Sequence, residues 1–91
     1  MLRQSKNDRV YTVEVYQVKN NTTSGNPVCI DSQVYATNPA DAVVFAMRKI
    51  GYDINRNNLT KLPQVSTLCA KVCLLGGTRE SVTYYNIINV R

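Results

Sequence analysis

Cys69, Lys71 and Cys73 stand at alternate positions of the stretch STLCAKVCLLGG, residues 66 to 77. Two thiols beside a lysine can hold a metal ion, form a redox pair or merely line a strand. The neighbours discriminate: Leu68, Ala70, Val72 and Leu74 are apolar and interleave with Thr67, Cys69, Lys71 and Cys73. That period of two belongs to a half-buried strand. At about 3.3 Å per residue, Cys69 and Cys73 then lie roughly 13 Å apart, too far for one zinc ion or a disulfide to bridge. In a helix the thiols would sit one turn apart, but the chain has no histidine and only Cys29 to add as a further ligand, and a structural zinc takes four. A disulfide between Cys29 and one of the pair is opposed by a reducing compartment. The cysteines are expected to be free thiols on a strand, with no metal and no cofactor.

The other reactive types point the same way. Without histidine the commonest general base is missing, and the Ser-His and Cys-His nucleophiles go with it. The acids Asp8, Glu14, Asp31, Asp41, Asp53 and Glu80 are scattered, so no pair is set by spacing for acid-base work. LLGGTRES lacks the Lys-Ser/Thr end of a phosphate loop and precedes a strand. One constellation stays open, because two strands could bring Glu14 or Asp31 beside Lys71. A non-enzymatic protein is expected.

The elements that carry these residues can be read from periodicity. RVYTVEVYQVK, residues 9–19, alternates Tyr11, Val13 and Val15 with Thr12, Glu14 and Tyr16 and reads as a strand. NNTTSGN reads as a loop too long for a two-residue hairpin. PVCIDSQVYAT reads as a second strand, with Val28, Ile30, Val34 and Ala36 on its apolar face. NPADAVVFAMRKIG is a helix: Asn38 caps it, Pro39 fits its first turn, Asp41 and the pair Arg48 and Lys49 suit the two ends of its dipole, and Gly51 stops it. Ala42, Val43, Ala46, Met47 and Ile50 form its apolar stripe, with Phe45 or Val43 expected against the sheet. YDINRNNLTKLPQ reads as a long connection pinned by Leu59 and Leu62. VSTLCAKVCLL and VTYYNIINVR are the last strands, joined by a hairpin in which Gly76 and Gly77 take positive φ. The expected fold is α+β: a four-stranded antiparallel sheet with one helix on one face, in the order β-β-α-β-β.

Length and charge set the frame. Ninety-one residues make one domain, with residues 1–8 expected as a flexible N-terminal arm. The hydrophobic fraction of 44% suffices for a core. Eleven Lys and Arg against six Asp and Glu leave a formal charge of +5, which suits a polyanionic partner and equally suits plain solubility. MLRQSKNDRV has no apolar core of a signal peptide, and no run approaches a membrane span. A cytoplasmic protein without membrane contact is expected.

With a helix on one face, parity leaves Thr12, Glu14, Tyr16, Cys29, Asp31, Gln33, Tyr35, Thr67, Cys69, Lys71, Cys73, Thr83 and Tyr85 on the other, and turns Tyr11 and Tyr84 to the core. Two readings compete for this open face. Tyr16, Tyr35 and Tyr85 could stack the bases of single-stranded DNA or RNA while Lys71, Arg79, Arg48, Lys49, Arg56 and Lys61 meet phosphates. Alternatively the face or an edge strand pairs with protein, either a host target or a second copy of the chain. A chain of this length with a bare sheet, one helix and a basic rim resembles the small phage-encoded inhibitors of host defence, the anti-CRISPR proteins among them. The resemblance lies in element order alone and carries over no residue. It implies an accessory protein of a phage or mobile element, acting in the host cytoplasm by binding and blocking a host protein or nucleoprotein complex.

Overall fold

The computed structural model describes residues 9–19, 22–23, 25–62, 67–78 and 81–89. The expected N-terminal arm, Arg79 and the segment 63–66 lie outside them. The protein is α+β, one helix on an antiparallel sheet, but the sheet has six strands rather than four. Four are the expected long ones: β1 (Arg9–Lys19), β3 (Cys29–Ala36), β5 (Thr67–Leu74) and β6 (Val82–Ile87). Two are two-residue additions, β2 (Thr22–Thr23) and β4 (Leu59–Thr60), so the order is β-β-β-α-β-β-β.

β1 is the spine of the sheet. Residues Tyr11 to Val18 pair with β5 on one edge, and β3 and β2 share the other. β6 pairs with β5, and β4 covers the far end of β6. β2 pairs back onto the end of β1, Val18 with Thr23 and Lys19 with Thr22, within the stretch expected as a long loop.

Along β1 and β5 the alternation holds as expected. Tyr11, Val13 and Val15, with Ala70 and Val72, are buried against the helix, and Thr12, Glu14 and Tyr16 stand opposite Cys73, Lys71 and Cys69 on the reverse face. β3 departs from it. Tyr11 pairs with Val34 and Val13 with Asp31, so two steps along β1 correspond to three along β3. This β-bulge at Ser32 and Gln33, held by Thr12 Oγ1 donating to the Ser32 carbonyl at 3.1 Å, reverses the faces. Cys29 and Asp31, expected on the open face, lie on the helix side, and Ile30 faces out.

β6 is also inverted relative to expectation. Ala70 pairs with Tyr85 and Lys71 with Tyr84, so Tyr85 and Thr83 share the helix side and Tyr84 stands on the open face, 57% exposed.

Helix α1 (Pro39–Lys49) forms where its signals placed it. The Asn38 side chain accepts from the Asp41 N–H at 2.9 Å, Pro39 opens the first turn, and Gly51 ends it at φ +99°. Ala42, Val43, Val44, Ala46 and Met47 are buried under it, while Phe45 and Ile50 face solvent. Ile54 closes the core at the helix end, beneath Arg48 Nε, which donates to its carbonyl at 2.9 Å. Of the two glycines after β5, Gly76 takes positive φ and Gly77 does not; a Cβ on Gly77 would instead meet Ser81 Oγ at 2.6 Å.

Residues 52–62 are more ordered than a linker. Asn55 and Asn58 cap a single 3-10 turn reciprocally: the Asn57 N–H donates to Asn55 Oδ1 at 2.8 Å, and the Asn55 N–H to Asn58 Oδ1 at 3.0 Å. Asn58 Nδ2 then donates to the Ile88 carbonyl at 2.9 Å, and Asn86 Nδ2 to the Leu62 carbonyl at 2.8 Å. Three asparagine side chains, those of Asn55, Asn58 and Asn86, thus clasp the connection onto the end of β6. Leu59 packs on the core, whereas Leu62, expected as a second pin, is exposed.

Candidate functional site

The sheet face away from α1 carries the exposed large apolar side chains of the strands, Ile30, Tyr35 and Tyr84. Across its centre runs one row of directly paired residues, Ile30 on β3, Glu14 on β1, Lys71 on β5 and Tyr84 on β6. Above and below it lie Tyr16 beside Cys69, Thr12 beside Cys73, and Val10 beside Tyr35. Ile30 is 62% and Tyr35 47% exposed. Glu14 and Lys71 are the charged residues of this face among the described strands. The Tyr16 hydroxyl donates to Glu14 Oε1 at 3.1 Å. Burial among its neighbours and then this carboxylate push the Tyr16 phenol above its ordinary pKa, against the opposing influence of Lys71.

The constellation left open by spacing is resolved in part. Glu14 does meet Lys71 in register, while Asp31 is on the other side of the sheet, where it accepts from Lys49 Nζ at 2.9 Å. Glu14, Tyr16 and Lys71 have the types for proton transfer, and all three are half-buried on this face.

The expected site residues divide into two sets. Tyr16, Tyr35 and Lys71 share the open face as expected, and Tyr84 joins them in place of Tyr85. Arg48, Lys49, Arg56, Lys61 and Tyr85 belong to the helix side. There Arg48 Nε donates to the Ile54 carbonyl, Lys49 Nζ to Asp31 Oδ2 and Arg56 Nε to Asp41 Oδ1, the last at 2.7 Å, and Lys61 Nζ stands 5.5 Å from the centre of the Tyr85 ring. Burial pushes the Tyr85 phenol up while Arg56 draws it down. Tyr84 was missed because Tyr84 and Tyr85 are identical neighbours, and only the pairing with β5 says which one faces the helix.

The thiols are separated by the same geometry. Cys29 is buried on the helix side of β3, and Cys69 and Cys73 lie half-buried on the open face of β5. β1 runs between those strands, so Cys29 is two strands away from the pair and on the opposite surface. Such a placement excludes the Cys29 disulfide in this fold. Among the described residues, no three of Cys, Asp and Glu gather as a metal site would require. No helix among them is long and apolar enough to cross a membrane.

Comparison with protein-family models, with curated proteins and with solved structures finds no match for this chain.

Proposed function

We propose that this chain is a non-enzymatic binding protein that docks a protein surface on its open sheet face, in the manner of the small phage-encoded inhibitors of host defence. One observation carries the reading: the exposed large apolar side chains of the strands, Ile30, Tyr35 and Tyr84, all sit on the side of the sheet away from α1, whereas Lys49 and Arg56 are paired with acids on the other side. An apolar, tyrosine-bearing patch with few charges has the composition of a protein interface core. A nucleic-acid platform needs its cations beside its stacking rings, and among the described strand residues only Lys71 accompanies Tyr16, Tyr35 and Tyr84.

The test is expression of the chain in bacterial hosts that carry a defined nucleic-acid-directed defence, CRISPR systems included, followed by phage challenge. Wild type should restore plaque formation on at least one host, and the double variant Tyr35→Ser with Tyr84→Ser should not. Arg56→Glu with Lys61→Glu should behave as wild type. Tight, length-dependent binding of single-stranded oligonucleotides at about 150 mM salt, lost in the Arg56 and Lys61 variant, would replace this reading with direct nucleic-acid binding.

A further inference from the structure

The central row of the open face is self-complementary. Read across the sheet it runs apolar, acid, base, apolar: Ile30, Glu14, Lys71, Tyr84. Turned end for end it runs apolar, base, acid, apolar. A two-fold axis parallel to the strands and midway between β1 and β5 stacks a second copy face to face and performs that reversal. Glu14 of each copy then lies over Lys71 of the other, and Ile30 over Tyr84. The other in-plane axis, across the strands, sets Glu14 over Glu14 and Lys71 over Lys71, so charge selects one arrangement of the two.

We infer that the open face is closed by a second copy of this chain in this two-fold sandwich, and that a target protein must displace that copy to bind. The inference rests on the reading of the face as a protein-docking surface and adds how it is regulated. The two outermost members of the row, Ile30 at 62% and Tyr84 at 57%, are among the most exposed large hydrophobic residues of the chain, and each is the other's counterpart under the axis. Sheets stacked this way lie about 10 Å apart with strands within roughly 30° of each other, a spacing that tyrosine and lysine side chains fill. The inner positions repeat the logic, since Tyr16 of one copy falls over Cys69 of the other, a ring beside a sulfur. Pairing through the free edge of β3 is the weaker way to join two copies, because the bulge at Ser32 and Gln33 breaks the row of edge hydrogen-bonding groups.

Sedimentation across the micromolar range reads the association directly. Wild type is expected to dimerise with concentration. Glu14→Lys and Lys71→Glu should each be folded monomers, because the axis then brings like charges together. An equimolar mixture of the two variants should restore the dimer, as every lysine meets a glutamate. Melting and circular dichroism of each variant guard against loss of fold. A wild-type monomer throughout, dimers that persist in the single variants, or folded variants that fail to associate when mixed would each overturn the inference. The two proposals fail separately. A monomeric wild type whose inhibition is still lost in Tyr35→Ser with Tyr84→Ser removes the sandwich and keeps the docking surface. A charge-swappable dimer whose inhibition survives those substitutions removes the docking reading and keeps the sandwich.

Discussion

The two faces of one sheet have solved different problems with nearly the same residue types. On the covered face, Val13, Val15, Val43, Met47, Ala70 and Val72 are almost fully buried, and the surrounding charges are paired, Asp31 with Lys49 and Asp41 with Arg56. On the uncovered face, Ile30, Tyr35 and Tyr84 stand in solvent around one acid and one base. The covered face is where stability is made, since apolar area removed from water contributes roughly 25 cal/mol per Å². The uncovered face leaves that contribution unrealised until something else covers it. Apolar composition alone therefore does not separate a core from an uncovered face; the presence of a helix does.

The sharpest way to break this contrast is to cut the covered side. Met47→Ala is expected to destabilise by about 2–5 kcal/mol, since it empties a fully buried site. Phe45→Ala, two residues away and 41% exposed, should change stability by about 0.5 kcal/mol or less. Equal losses in chemical denaturation would mean that the helix is rotated from its described face. A smaller effect comes from the device that starts the covering helix. Asn38→Ala removes the acceptor for the Asp41 N–H and should cost about 1 kcal/mol, whereas Asn38→Ser should retain most of it.

The uncovered side should be nearly silent in the same assay. Tyr35→Ser with Tyr84→Ser is expected to leave the monomer's denaturation midpoint within about 0.5 kcal/mol of wild type; a loss like that of Met47→Ala would place the two rings in a core. Thiol labelling gives the finest comparison. Burial pushes both the Cys29 and the Cys69 thiols up, so each stays protonated to higher pH than an ordinary cysteine and reacts faster as pH rises. Cys29 must also be uncovered first. Native monomer, labelled at pH 8 below the concentration of association, should therefore modify Cys69 and Cys73 ahead of Cys29, and denatured protein all three alike; labelling of Cys29 in the native monomer at the rate of the others would contradict its place on the helix side of β3.

How much of this could be read from the chain follows from where the constraints are local. The helix carries its own start, stripe and stop within fourteen residues, Asn38 to Gly51, and β1 and β5 alternate without interruption, so Glu14, Tyr16 and Lys71 were placed on one face by counting. β3 defeats counting because the bulge inserts one residue at Ser32 and Gln33, both acceptable in a strand, and nothing in their chemistry marks the extra step. β6 defeats it because two doublets, Tyr84 with Tyr85 and Ile87 with Ile88, give either parity an aromatic and an aliphatic residue to bury. Its phase is decided by contact with β5, as Ile87 opposite Leu68 and Tyr85 opposite Ala70. The clasp of Asn55, Asn58 and Asn86 was legible only as polarity. Asn55 and Asn58 stand at the spacing of a reciprocal cap, which was not read from the chain, and the carbonyl that Asn58 reaches lies thirty residues on.

The position of β1 has a consequence for how the chain folds. It is the first described strand in sequence and an inner one in space, paired on both edges, so one of its edges is satisfied early and the other late. β3 follows within a few tens of residues, and α1 directly after can close over the pair. β5 begins only at Thr67, and until it arrives the inner edge of β1 presents a row of unpaired backbone groups from Tyr11 to Val18. Docking β5 closes a loop of roughly fifty residues, a step whose entropy must be spent before any contact repays it. A chain halted on the ribosome before β5 emerges thus carries a long, flat, valine-rich edge, and it is in that interval, rather than in the finished fold, that this protein is most open to pairing with the wrong strand.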